Sequence, residues 1–155
     1  EDEIEIILAK PKVDPVIVDA DRIRIDEVIS NLLTNAVEST KNSVSSGTSV
    51  YDQHGNAITV FTTIKSNQGY NNKDNINSKN GGEVIVSIRD RGTGIDPEIQ
   101  DKLFTIFVTK SEKGSGLGLF ISKGIVEAHG GKIWAENNAD GKGATFSFSL
   151  PISEN

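Results

Sequence analysis

The chain contains no cysteine, which excludes disulfides, thiol catalysis and thiolate zinc sites and is compatible with a reducing compartment. Clustered basic residues are also missing. Sixteen Lys and Arg are outnumbered by 22 Asp and Glu, giving a formal charge of −6, and no stretch forms the positive footprint that nucleic acid requires. No nucleic-acid partner is expected. No apolar run approaches the ~20 residues of a membrane helix, and no signal peptide is visible. A cytoplasmic location without direct membrane contact is the corresponding expectation. The first residue is Glu1 rather than Met, which reads as a piece of a longer protein. At 155 residues the chain suits one domain. A domain of that size buries roughly 70% of the surface its unfolded chain exposes, enough for one core.

Residues 3–8 and 15–18 read as short strands, broken by Pro11 and Pro15, which suit edges or strand starts. A helix follows, capped by Asp19 or Asp21. Its apolar stripe is Ile25, Val28, Ile29, Leu32, Leu33, Ala36 and Val37, with Glu27, Asn31, Asn35 and Glu38 on the other side. Residues 41–56 and 65–82 turn to Ser, Asn, Gly and Lys and are read as mobile insertions, since neither can bury enough to offset its ordering entropy. Between and after them, 57–64 and 83–90 alternate apolar and polar positions, predicting a hairpin with a long loop. Asp96-Pro97-Glu98 predicts a helix start, with Leu103, Phe104, Ile106 and Phe107 as its apolar end. A second long helix is predicted over 117–129, stopped by Gly130-Gly131. Residues 132–137 and 144–150 form a closing hairpin around Asp140-Gly141, with Phe146, Phe148 and Leu150 on one face. There is no internal repeat. The predicted class is α+β, a two-layer sandwich with helices on one face of a mixed, mostly antiparallel sheet.

Three segments carry candidate chemistry. Asp90, at the end of a predicted strand, can accept a hydrogen bond from the exocyclic amine of adenine, and Gly92 and Gly94 let the backbone approach a base closely. Guanine, with a carbonyl at that place, would be rejected; alternatively, Asp90-Arg91-Gly92 is a plain surface turn. The run Gly114-Ser115-Gly116-Leu117-Gly118-Leu119 offers successive backbone N–H groups at a helix start, which favour phosphate oxygens, or else it is a flexible linker. Its spacing is neither Walker nor Rossmann: Gly-Lys-Ser/Thr is absent, and the earlier glycine pair, Gly92 and Gly94, is followed by Pro97 where the dinucleotide fingerprint needs its third glycine. Asn31 and Asn35 lie on the polar side of the first helix. Asn35 is the better Mg²⁺ ligand, because that ion takes oxygen donors and bridges protein to nucleotide phosphates, although a solvated asparagine is the plainer reading. Lys110 can neutralise charge on a transferring phosphoryl group, or simply be solvated.

In this order the segments resemble the catalytic and ATP-binding domain of histidine kinases, within the superfamily of gyrase-type, heat-shock-chaperone and mismatch-repair ATPases. Asn31-Leu32-Leu33-Thr34-Asn35-Ala36 matches the Asn box and Asp90-Arg91-Gly92-Thr93-Gly94-Ile95 the first glycine box. Leu103-Phe104-Thr105-Ile106-Phe107-Val108-Thr109-Lys110 matches the F box, and Gly114 with its five successors the second glycine box. Gly143-Ala144-Thr145-Phe146-Ser147-Phe148-Ser149-Leu150-Pro151 is similar to the family's terminal strand, in which Thr145 would help bind adenine through water. The resemblance implies the Bergerat fold, with ATP and Mg²⁺ between the helices and a lid over 108–115. It implies transfer of the γ-phosphoryl to a histidine on a separate dimerisation domain, and indirectly a response regulator. The isolated domain is expected to be a monomer. Asn31 stands where the family's ATPases carry a water-activating glutamate, which suits phosphotransfer rather than hydrolysis. By the same resemblance, an ATPase, a protein serine kinase or a non-catalytic nucleotide-binding module are the alternatives.

Two positions depart from the family's pattern. Glu38 and Ser39 replace the usual lysine and aromatic, so adenine packing and phosphate neutralisation fall to Ile95, Phe107 and Lys110. The acceptor histidine is also missing. His54 lies in a polar loop, and His129 ends a helix about twelve residues, or roughly 18 Å, from its phosphate-binding start. The helices that carry the acceptor would precede Glu1.

Overall fold

The computed structural model describes residues 4–10, 15–45, 57–66, 82–106 and 116–153. Five strands form one sheet: β1 (Ile6–Leu8), β2 (Ile58–Lys65), β3 (Glu83–Arg89), β4 (Ile133–Asn137) and β5 (Ala144–Pro151), in the order β1-β2-β3-β5-β4. Only the β1–β2 pair is parallel. Helices α1 (Arg22–Ser45) and α2 (Gly118–Ala128) pack on one face. The predicted two-layer α+β class is what the chain adopts.

Register explains which strand residues meet the helices. Val60, Ile88, Phe146 and Ala135 stand side by side across four strands, as do Val86, Phe148 and Ile133 across three. These rows join Val28, Leu32 and Ala36 of α1 and Val126 of α2 in the core. The opposite face carries the row Phe61, Ser87, Ser147 and Trp134, where the two buried serine hydroxyls share a hydrogen bond of 2.8 Å. β2 and β3 pair up to Lys65 and Glu83, so the predicted hairpin forms around a loop whose residues 67–81 lie outside the described set.

Four expectations change. The first strand is only Ile6–Leu8, and of 15–18 only Val18 makes a bridge, to Ile152. α1 starts where Asp21 Oδ1 accepts from the N–H groups of Ile23 and Arg24, at 2.9 and 3.2 Å. It does not stop near Val37, however, but continues through Ser45, into the stretch read as an insertion. Its inward positions there are Thr40 and Ser43, both buried, and Thr40 Oγ1 donates to Ala36 O at 2.8 Å. A hydroxyl satisfied on its own helix can be buried without looking apolar in sequence.

The helix expected after Asp96 does not form. Asp96 Oδ1 accepts from Glu98 N–H at 2.8 Å, and the chain continues in i→i+3 bonds through the 3-10 turn Gln100–Lys102, held by buried Leu103. α2 ends as predicted, with Gly130 at φ 76°.

Candidate functional site

Asn31, Asn35 and Ser39 recur every four residues on α1, so they lie in one line along the helix, about 12 Å from first to last. The two ends of this line are tied to different elements. Asn31 Nδ2 donates to Gly118 O and Ser122 Oγ of α2, at 3.4 and 3.2 Å. Ser39 Oγ donates to Asp90 Oδ1 at 3.4 Å. Asn35 lies between them, half-buried, with no side-chain hydrogen bond among the described residues. This line is therefore not a solvated face; it runs from the start of α2 to the loop after β3, and the strip between them is the candidate cleft.

Asp90 anchors one end of that cleft. The residue is 1% exposed, and its Oδ1 accepts from Gly92 N–H at 2.8 Å, Ala144 N–H at 3.3 Å and the Ser39 hydroxyl. Among the described residues these bonds all fall on one oxygen and none falls on Oδ2. Burial pushes the carboxyl above its ordinary value, against the lowering effect of the same three donors. Gly92 is required by packing: any Cβ there would run into the backbone and hydroxyl of Ser39. Gly143, at φ 73°, presses equally closely on the Asp90 carbonyl.

The other end is the start of α2, where Gly116 has φ 67° and Leu117 makes no side-chain cap. The first-turn N–H groups of Gly118 and Leu119 thus have no capping side chain, the arrangement that receives phosphate oxygens. The Asn-box helix thus contacts the start of α2 through Asn31 and the first glycine box through Ser39, four residues past Asn35, and Ile95 at the end of that box is buried. Phe107, Thr109, Lys110, Gly114 and Ser115, with the whole expected lid, lie outside the described residues.

Thr145 is not brought to the Asp90 carboxylate. It pairs across the sheet with Arg89 and Glu136, its hydroxyl donates to Asn138 Oδ1 at 2.6 Å, and the neighbour at the carboxylate is Ala144. Glu27 faces Arg24, with Nη1 donating to its Oε2 at 3.2 Å. His129 has both ring nitrogens engaged: Nδ1 donates to Ile125 O at 2.7 Å and Nε2 accepts from Asp21 N–H at 3.0 Å. It ties the end of α2 to the start of α1. His54 lies outside the described residues.

Sequence reasoning missed four participants. Ser39 was read only as a departure, Ser122 was hidden within α2's apolar pattern, and Asn137 and Asn138 passed as a strand end. The only signal for the last pair is two adjacent asparagines where β4 meets a tight turn.

Residues 20–154 match the family model for histidine kinase-, DNA gyrase B- and HSP90-like ATPases. The chain belongs to that family. It is 34% identical over 135 residues to the sensor protein FixL of Bradyrhizobium diazoefficiens, covering 87% of this chain and 22% of FixL. It is 30% identical over 160 residues to the sensor histidine kinase WalK of Bacillus subtilis, covering 99% of this chain and 22% of WalK. The chain thus spans about a fifth of the length of these relatives. Among solved structures, the catalytic domain of histidine kinase ThkA superposes with a TM-score of 0.64 at 32% identity, over 96% of this chain and 78% of that one. Full-length ShkA in complex with AMPPNP superposes with a TM-score of 0.68 at 25% identity, over 98% of this chain and 26% of ShkA. The chain is a histidine kinase-type, ATP-binding ATPase domain, homologous to the catalytic domains of sensor kinases. None of its described helices is long and apolar enough to cross a membrane.

Proposed function

We propose that this domain binds Mg–ATP along the Asn31, Asn35 and Ser39 line and donates the γ-phosphoryl to a histidine on a separate helical dimerisation domain of its parent protein, from which a response regulator takes it. The observation that carries the reading is the line on α1 with chemically different groups at its two ends. A buried carboxylate with one oxygen to spare stands at one end, an uncapped helix start at the other, and an amide without a partner lies between.

Adenine fits the Asp90 end, because its amine donates to Oδ2 where guanine would place a second acceptor. Triphosphate fits the α2 end through backbone N–H groups. Among the described residues no group of three or more His, Cys, Asp or Glu could hold a metal, so the ion would be shared between Asn35 Oδ1 and the phosphates. When bound, it offsets charge on the phosphoryl oxygens. Asn31 holds α2 against α1 and supplies no base for water, and Glu27 is occupied by Arg24. This favours transfer over hydrolysis. Lys110 and Gly114 with Ser115 are assigned to the γ-phosphate by their place in the sequence.

The test is incubation of this chain with γ-labelled ATP, alone and with the parent's acceptor domain. Label should appear only on the added domain and in an acid-labile bond. Rapid phosphate release without acceptor would replace this reading with an ATPase, an acid-stable label with a serine kinase, and binding without transfer with a non-catalytic module. Asn35→Ala should remove the Mg²⁺-dependent part of ATP affinity in calorimetry, and an unchanged metal dependence would overturn the metal assignment.

A further inference from the structure

The loop that presents Asp90 meets α1 at Ser39, whose hydroxyl donates to Asp90 Oδ1, but the ends of its backbone are hydrogen-bonded elsewhere. It is held from behind, by two consecutive side chains at the end of β4. Asn137 makes a reciprocal pair with the backbone of one loop residue: its Oδ1 accepts from Ile95 N–H at 2.7 Å and its Nδ2 donates to Ile95 O at 3.0 Å. Asn138, buried, donates from Nδ2 to Asp90 O at 2.8 Å and to Lys142 O at 2.6 Å, while its Oδ1 accepts the Thr145 hydroxyl. The first and last residues of the hexapeptide Asp90 to Ile95 are thereby fixed to adjacent positions of one hairpin. Gly94, at φ 75°, leaves room for the Asn137 amide, since a Cβ there would lie 2.8 Å from Asn137 Oδ1.

The hairpin itself is stiffened on the same side. Asp140 Oδ2 accepts from Arg89 Nη2 at 3.0 Å and lies 3.9 Å from Arg91 Nη1, so the residues on either side of Asp90 are both drawn to the turn. A carboxylate that reads one hydrogen of a base must be placed to within a fraction of an ångström, and nothing in a glycine-bearing loop does that by itself.

We infer that Asn137 and Asn138 are positioning residues for nucleobase recognition, acting through Ile95 and Asp90 without touching the ligand. The inference rests on the nucleotide reading above and assigns the β4–β5 turn to the specificity of that site. Asn137 is the sharper test because its residue is exposed, so replacing it leaves the core intact.

The experiment compares wild type, Asn137→Ala and the nearly isosteric Asn137→Leu for binding of three probes by calorimetry: Mg–ATP, adenosine, and Mg–tripolyphosphate. Tripolyphosphate reports the α2 end alone and adenosine the Asp90 end alone. Both variants should lose about tenfold in affinity for ATP and adenosine, the worth of one to two ordinary hydrogen bonds, with tripolyphosphate affinity unchanged. In transfer to the acceptor domain, KM for ATP should rise and kcat stay level. Wild-type adenosine affinity in both variants overturns the inference, and so does an equal loss for adenosine and tripolyphosphate, which would mean general damage. Failure of wild type to bind ATP or adenosine would instead sink the underlying nucleotide reading.

Discussion

Asp90 is 1% exposed, and burial raises its carboxyl above the ordinary 3.8 even though three donors lower it. A raised folded-state value means that the stability tied to this group is fully present below pH 3.8 and is lost as pH rises through the raised value. Once ionised, the carboxylate therefore weighs against the fold. Asp90→Asn keeps an oxygen for Gly92 N–H, Ala144 N–H and Ser39 and removes the charge. Its thermal midpoint at pH 7 should equal or exceed that of wild type, with any gain shrinking as pH falls toward 3.8. ATP affinity should drop at the same time, and the preference for ATP over GTP should narrow, because an amide N–H₂ in place of Oδ2 opposes the adenine amine. Unfolding scans across pH, paired with calorimetry for both nucleotides, check the two halves. A variant less stable at pH 7 yet with intact ATP preference would show that Asp90 is structural.

At the scale of elements, the sequence-readable features are those with strong periodicity or fixed stop chemistry. α2 and its Gly130 stop, the start of α1 at Asp21, and the β2–β3 and β4–β5 hairpins follow from apolar spacing and turn residues. Thr40 and Ser43 hid the last turns of α1, because buried hydroxyls look like loop composition. Asp96, Pro97 and Glu98 look like a helix start, and the Asx turn at Asp96 sends the chain into i→i+3 bonds instead. Asp90 and Asn35 were legible as candidate site residues because carboxylate and amide groups have definite ligand chemistry. Asn137 and Asn138 were not, since their partners lie more than forty residues away. The loop between β2 and β3 carries its own prediction. Lys65 and Glu83 are already paired, and Gly82 O accepts from Ile152 N–H at 2.9 Å, so the sheet reaches the mouth of the loop without it. Replacing residues 67–81 with Asn-Gly should leave the thermal midpoint unchanged or slightly raised, since shortening a loop lowers closure entropy by about 0.6 kcal/mol per halving. A marked drop would mean that the segment packs on the domain.

For the molecule as a whole, the proposed site draws on both helices and on three of the five strands. α1 supplies Asn35, the end of β3 supplies Asp90, α2 supplies its N-terminus, and the β4–β5 turn clamps the loop from behind. Asn31 and His129 tie the two helices at opposite ends of α2. A ligand seated along this cleft touches parts of the chain far apart in sequence and can bind only when they are assembled, so its binding energy is linked to global unfolding rather than to one loop. At a hundred times its dissociation constant a ligand adds about 2.7 kcal/mol to unfolding. For a domain of this size each kcal/mol moves the midpoint by about 2–4 °C. Saturating Mg–ATP should therefore raise the thermal midpoint by about 5–11 °C in one cooperative transition. The shift should be smaller when EDTA removes the metal, and smaller again in Asp90→Asn. Differential scanning calorimetry with and without nucleotide makes the measurement. A transition that splits in two on adding ATP would mean that the helices and the sheet respond separately, and would overturn the picture of one cleft spanning the whole fold.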